Sequence, residues 1–469
     1  MKRRTKIVCT LGPATSTRDQ IKKLIDAGMN VARLNCSHGD WEAKAEWIQW
    51  IREIAPDTNT VAILADLQGP KFRIGALPEG FLDVHQGQTL TISQQSSSQL
   101  CVPGDEIYQA METGDRLLMG DGDVELKLGA KVDGEFTAKV QSTGRIKSKQ
   151  GVTLVGKSFD VPAMTDKDLK DLYEAAKLGV DVVALSYVRR ASDIRELRRI
   201  LDTYDPSIKV CAKIETREAL KEIDDIIRVS DIIMVARGDL GLQMDLEEVP
   251  IAQKHIISRC GRFGKPVITA TQMLESMIQI ARPTRAEATD VANAIVDGTD
   301  AVMLSGETAA GAYPIEAVRM MARIADRAES IVDRSARMEL EDKNLSGSDL
   351  VTEAVAHAAV QLAHTVKAKA IITTSTSGLT PRMVSKFRPK CPILCATWED
   401  RTRAYLSFMS GVTGISIGLP PTTDEVMHAA VNEFLRHKML KLGDTIVITA
   451  GVPAGRVGNT NLIYVETVK

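Results

Sequence analysis

The sequence predicts a (β/α)8 barrel interrupted by a small all-β insert and followed by a smaller open α/β domain. Three observations predict it. Eight short apolar runs alternate with helical patterns, three before and five after an interruption. The interruption, from about Gly75 to Lys149, is rich in Gly, Gln and Ser and carries short alternating runs. The last part, roughly 350–469, returns to β/α alternation but is too short for a second barrel.

The first strand is Ile7 to Leu11, and a helical pattern from Thr17 to Asp26 is closed by Gly28. Val31 to Leu34 is the second strand. Trp41 to Ile54 reads as an amphipathic helix with Trp47, Trp50, Ile51 and Ile54 on one core-facing stripe. Val61 to Leu67 is the third strand. In the insert, Leu90-Thr91-Ile92 alternates, and Asp133-Gly134 marks a hairpin turn between Ala130-Lys131-Val132 and Phe136-Thr137-Ala138. The rhythm resumes at Asp181 to Ser186 and continues at 208–214, 231–236, 266–271 and 300–305. The charged stretch Glu339 to Lys343, followed by Ser346-Gly347-Ser348, reads as a linker. Ala370 to Thr374, Ile393 to Thr397 and Thr445 to Thr449 are strands of the last domain. The expected division is 1–70 with 160–343 for the barrel, 71–159 for a lid inserted after the third strand, and 344–469 for the C-terminal domain.

The 469 residues suffice for about three domains of ~150 residues each. An apolar content of 44% supports a large core, and a net charge of −2 gives no bulk pull toward nucleic acid or an anionic membrane. No apolar run approaches the ~20 residues of a membrane span. The basic start Met1-Lys2-Arg3-Arg4 meets Gly12-Pro13 too soon for a signal peptide. Seven scattered cysteines without a CxxC pair read as buried thiols of a reducing compartment, hence a cytoplasmic protein. Cys391 and Cys395 have no histidines placed to complete a zinc site.

Barrel active sites lie at the carboxyl ends of the strands. Those ends carry Arg33, Asn35 and Ser37 (second), Asp66 (third), Lys213 and Glu215 (fifth), Arg237, Gly238 and Asp239 (sixth), Thr271 and Gln272 (seventh), and Ser305 and Glu307 (eighth). A single polar residue there is ordinarily a cap or a loop contact. Chemically matched groups at six ends are hard to explain as caps. Alternation puts Lys213 and Glu215 on one side of their strand and Ile214 on the other. Paired carboxylates beside a lysine can hold Mg²⁺ and neutralise a phosphoryl group in flight. The bland alternatives are a core Lys213–Glu215 pair, costly to bury without a task, and a Thr271 that only bonds the backbone.

These residues sit in stretches that resemble pyruvate kinases: Val31 to Gly39, Met234 to Gly241, Thr269 to Met277, Arg282 to Glu287 and Asp297 to Thr308. The resemblance runs in order from residue 4 to the C-terminus and is weakest in the insert. It implies phosphoryl transfer between phosphoenolpyruvate and ADP, giving pyruvate and ATP. It implies Mg²⁺, with Mn²⁺ an alternative, held by Glu215 and Asp239. By the same resemblance Lys213 faces the transferring phosphoryl group, and Arg33 and Arg73 contact phosphate oxygens. The main chain at Arg237, Gly238 and Asp239 receives the substrate carboxylate, and Thr271 organises the water that protonates the enolate. Asn35, Ser37, His38 and Arg73 lie at the nucleotide, which brings a second Mg²⁺. His38 itself is structural rather than catalytic, since nothing nearby supplies a triad. A homotetramer is the family's usual assembly.

The chain departs from the family pattern at Asp66-Leu67-Gln68-Gly69-Pro70-Lys71, where many members read Asp-Thr-Lys-Gly-Pro-Glu. The glutamate form accompanies a bound K⁺. Here Lys71 brings its own charge to a pocket of Asn35, Ser37, Asp66 and Leu67, which implies an enzyme without need of K⁺; the alternative is an exposed hinge lysine. Cys36 stands where phenylalanine is usual, a small core residue. Gln150 stands where a nucleotide-contacting lysine is common, with Lys149 beside it.

Gly151 to Ser158 matches the phosphate-loop pattern GxxxxGK[ST]. Such a loop must open a helix, yet Val161-Pro162 follows and strand formers fill the spacer, so the match is a decoy. In the C-terminal domain, Ser375, Thr376, Ser377, Gly378 and Thr380 precede a helical pattern from Arg382. Hydroxyls and amides at a helix start make a phosphate cradle, and in allosteric members the similar loop binds a sugar-phosphate effector. Ordinary capping is the alternative. Trp398, Arg401 and Arg403 are candidate helpers. The competing functions are a Mg²⁺-dependent aldolase or lyase on pyruvate-type substrates and a non-catalytic metabolite sensor. The lyase would not require the insert or Arg73. The sensor predicts loss of Lys213, Glu215 or Asp239, and all three are present.

Overall fold

The computed structural model describes residues 3–58, 60–95, 98–157, 159, 161–332, 347–418, 422–452 and 460–469. Eight parallel strands close a barrel: Lys6–Thr10, Val31–Asn35, Ala62–Asp66, Val182–Val188, Lys209–Ile214, Ile232–Ala236, Val267–Ala270 and Ala301–Leu304. They run in sequence order around the barrel, which closes where Lys6 pairs with Ala301. The third and sixth strands are buried along their whole length, as expected where helices cover one face and the barrel interior the other.

The helix Trp41–Ile54 forms, but its stripe is shifted from expectation. Lys44, Ile48 and Ile51 are its buried residues, and Trp47, Trp50 and Ile54 are only partly covered. The indoles are too wide for the helix–barrel seam and lie at the edge of the core. Trp41 shows the arrangement: its Nε1 donates to Asp171 on the neighbouring outer helix Asp166–Lys177 over 2.9 Å.

The insert is built of a six-stranded sheet and a two-stranded ribbon, as expected, with one short helix beside them. Asp105–Ala110 is helical, with two acidic residues in its first turn and Ile107 and Tyr108 buried in the insert's core. The expected hairpin is present. Asp133 and Gly134 both take positive φ, 50° and 85°, and join Val124–Val132 to Glu135–Val140. The phosphate-loop match enters a strand, Val152–Leu154, antiparallel to Arg116–Met119; its last residue, Ser158, lies outside the described residues.

The expected linker residues 339–343 and Ser346 lie outside the described residues. Gly347 and Ser348 are not linker: they open the helix Gly347–Thr365, where apolar residues recur on one face. The C-terminal sheet runs Val412–Ser416, Ile393–Thr397, Ala370–Thr374, Thr445–Ala450, Leu462–Thr467, with only the last strand antiparallel. This domain docks against the amino ends of the barrel strands. Arg401 reaches Asp181 at 3.2 Å, Tyr405 Oη donates to the Asp231 carbonyl at 3.1 Å, and Arg388 pairs with Asp300 at 2.7 Å. The barrel's inner residues, Val8, Leu64 and Met234 among them, form one apolar cluster with Tyr405, Leu406 and Phe408. No helix among the described residues is long and apolar enough to cross a membrane.

Candidate active site

The opposite rim gathers the polar residues. Lys213 points from the fifth strand into the barrel mouth. Its Nζ donates to Ser186 Oγ at 2.7 Å and pairs with Glu215 Oε1 at 2.9 Å and Asp66 Oδ1 at 3.2 Å. The Asp66 contact is an ion pair without hydrogen-bond alignment, since Oδ1 has no well-directed donor. Asp66 Oδ2 instead accepts from Arg33 Nε at 2.6 Å, and Arg33 also donates to Thr10 Oγ1 at 2.9 Å. The first five barrel strands, and the residue that follows the fifth, thus converge on one polar cluster.

Burial and neighbouring charges compete at each of these groups. Burial alone would lower Lys213, but Asp66, Glu215 and Asp239 outweigh it and hold the ammonium above its usual range. Burial would raise Asp66, and Lys213 with Arg33 outweigh that and hold it low. Burial pushes Glu215 up to about 7 against the pull of Lys213, with Asp239 adding to the rise. The lysine is therefore charged, and Glu215 is the carboxylate left short of positive charge.

Asp239, half-exposed, opens the short helix Arg237–Gln243 and has Lys71 Nζ 3.9 Å away. Among the described residues no group of three or more His, Cys, Asp or Glu side chains is placed to hold a metal by itself. Glu215 and Asp239 offer two carboxylates, which suits Mg²⁺, an ion that keeps waters and substrate oxygens for the rest of its shell.

Gly238 and Thr271 meet directly: the Gly238 amide donates to Thr271 Oγ1 at 2.7 Å. Thr271 and Gln272 both take positive φ, 69° and 51°, a strained state for a β-branched residue. The Arg237 guanidinium turns away from the mouth and is bound by Asp290 at 2.6 Å and by the Thr271 carbonyl at 2.7 Å. Glu307 also turns inward, accepting from the amides of Leu274 and Ser305 at 3.0 and 2.7 Å. At the second strand, Asn35 Oδ1 accepts from the Ser37 amide at 3.0 Å, Cys36 is buried, and His38 is exposed. Arg73 is exposed on the lid hinge and donates to the Lys149 carbonyl at 3.1 Å. Gln150 is taken up locally, accepting from the Lys147 amide at 2.7 Å. The lid rests on the barrel at Arg116–Asp245, 3.1 Å, and at Gly122, where a Cβ would stand 3.4 Å from Leu242.

Comparison of the chain with known proteins gives its family. A family model described as "Pyruvate kinase, barrel domain" matches residues 2–318, and one described as "Pyruvate kinase, alpha/beta domain" matches residues 353–466. The chain belongs to the pyruvate kinase family. It is 44% identical over 476 residues to the pyruvate kinase of Geobacillus stearothermophilus, covering 100% of this chain and 81% of that protein. It is 41% identical over 474 residues to that of Sporosarcina psychrophila (99% and 80%) and 43% identical over 476 residues to that of Bacillus licheniformis (99% and 80%). As a pyruvate kinase it is a phosphotransferase.

Two residues of this polar cluster were not singled out from the sequence. Thr10 ends the first strand and Ser186 lies near the end of the fourth. The strand-end rule finds both once it is applied to those two strands.

In the C-terminal loop, Ser375 Oγ accepts from the Gly378 amide at 2.9 Å, and Thr380 Oγ1 lies 2.8 Å from Thr460 Oγ1. The Thr376 carbonyl accepts from Thr402 Oγ1 at 2.6 Å, and the side chains of Thr376 and Ser377 stay partly open. Gly378 takes φ 82° before the helix Leu379–Lys386. Arg401 does not join this loop: it is spent on the carbonyls of Gly179 and Val180 and on Asp181 and Asp205 of the barrel. Arg403 pairs with Asp400 at 3.1 Å.

Proposed function

We propose that the cluster around Lys213 transfers the phosphoryl group of phosphoenolpyruvate to ADP, giving pyruvate and ATP. The observation that supports this best is a buried ammonium held charged between Asp66 and Glu215, with Arg33 alongside. Such a cation stabilises charge on a transferring phosphoryl group. Glu215 and Asp239 would hold Mg²⁺, or Mn²⁺, which supplies positive charge to the enolate side of the substrate. Arg33 and Lys213 bind phosphate oxygens. The main chain at Arg237, Gly238 and Asp239 receives the carboxylate. Thr271 directs the proton that completes pyruvate. Arg73, Asn35, Ser37 and His38 face the nucleotide, closed in by the lid. The test is ATP formation from the two substrates by the parent and by Lys213→Met. Equal rates would refute the assignment. The lyase alternative has nothing in its favour, because the family match spans the chain.

The enzyme works without K⁺. Lys71 supports this reading: its ammonium lies 3.9 Å from Asp239 and brings a fixed positive charge to the rim of the site. Activity that collapses in K⁺-free buffer and returns with K⁺ would overturn it. A phosphorylated metabolite activates the enzyme at Ser375 to Thr380, where the open side chains of Thr376 and Ser377 flank a glycine-capped helix start. Unchanged effector responses in Ser377→Ala and Thr380→Ala would exclude this loop. We assign the barrel to 1–70 and 160–343, the lid to 71–159 and the effector domain to 344–469, in a cytoplasmic homotetramer. Free thiols, five of the seven buried, agree with that compartment.

A further inference from the structure

Tyr187 lies near the carboxyl end of the fourth barrel strand, where register against the fifth shifts between Leu185 and Val188. Its φ is 54°, a left-handed state inside a continuing strand. Left-handed residues usually close turns, and this strand does not turn there. The inversion instead aims the Tyr187 N–H at Glu215 Oε2, 2.7 Å away. The other Glu215 oxygen faces Lys213 at 2.9 Å. The carboxylate is gripped at one end by a charge and at the other by a peptide. Gly69 makes room for this: a Cβ there would stand 2.9 Å from Ser186 Cβ and 3.1 Å from Tyr187 Cδ2.

We propose that the left-handed peptide at Tyr187 is a positioning element that fixes the rotation of the Glu215 carboxylate toward an incoming divalent cation. The position demands a backbone conformation and not a phenol. This rests on the reading of Glu215 as a metal ligand.

The experiment titrates substrate-free enzyme with Mn²⁺ and follows free Mn²⁺ by electron paramagnetic resonance. Tyr187→Gly, Tyr187→Asn and Tyr187→Phe keep the dissociation constant within about threefold of the parent, because each tolerates or retains the left-handed state. Tyr187→Val, whose β-branch resists positive φ, weakens binding about tenfold or more through loss of a charge-assisted hydrogen bond. A structural role for the ring predicts otherwise: glycine, asparagine and valine would all weaken alike. That outcome overturns the proposal, as does a valine variant that binds like the parent. Should the valine protein fail to fold, the glycine and asparagine variants decide: retained binding supports the proposal and lost binding overturns it. Glu215→Gln is run alongside. If it binds Mn²⁺ as tightly as the parent, the metal reading itself fails, whatever the Tyr187 series shows.

Discussion

The Thr271 hydroxyl accepts the Gly238 amide over 2.7 Å, and Thr271 holds φ 69° to do so. Backbone strain of this kind persists only where its surroundings enforce it, and here the Arg237 guanidinium grips the Thr271 carbonyl. Thr271→Val removes the hydroxyl while keeping shape. It should lower kcat by about 10²-fold, the lower range for a lost proton-transfer partner, with the phosphoenolpyruvate dissociation constant little changed. Steady-state kinetics beside equilibrium binding check this.

Lys213→Met leaves Asp66 and Glu215 buried with one cation fewer. It should cost ~10³-fold or more in kcat. Stability should fall as well, by about 3–5 kcal/mol, the typical cost of breaking a buried pair. Urea unfolding of parent and variant measures the second effect separately from the first.

Lys71→Glu exchanges a fixed ammonium for a carboxylate beside Asp239. The variant should acquire a K⁺ requirement that the parent lacks. Rates measured across a K⁺ titration, with ionic strength held by tetramethylammonium, show whether it does.

Lys265 supplies a pH test away from the site. Burial, with Arg382 adding to it, lowers this lysine to about 8. The folded protein then binds fewer protons than the unfolded chain between about pH 8 and the ordinary lysine range near 10.5. Its charged form costs stability fully below about 8, and that cost is relieved as pH rises through the window. Lys265→Met should flatten this part of the stability profile, read as unfolding midpoints at about pH 7.5, 8.5 and 9.5, which bracket the lowered lysine.

The lid contact Arg116–Asp245 lies at the surface, at 3.1 Å. Asp245→Asn should change global stability by less than about 1 kcal/mol, as exposed pairs do. Its effect should appear in a raised KM for ADP, since the pair holds the lid against the barrel.

Much of this was legible in the chain. The barrel strands announce themselves because both their faces are buried, and period-two alternation alone puts Lys213 beside Glu215. What was not legible depends on side-chain direction and on φ. Nothing in the letters Ser186-Tyr187 encodes an inverted peptide, and no spacing rule shows that the Arg237 guanidinium faces Asp290 rather than the mouth. Arg401 misled for the same reason. It sits near the effector loop in sequence, but its partners lie some 200 residues away on the barrel. The Trp41–Ile54 stripe missed by one helical position because periodicity gives a face and not the width of the seam that receives it.

The apolar cluster that joins the barrel interior to Tyr405, Leu406 and Phe408 makes the C-terminal domain a plug as well as a neighbour. Cut free of it, the cylinder would expose an oily drain to water. The excised barrel should therefore precipitate or bind dye like a molten state, and its partner domain, added back in trans, should restore solubility.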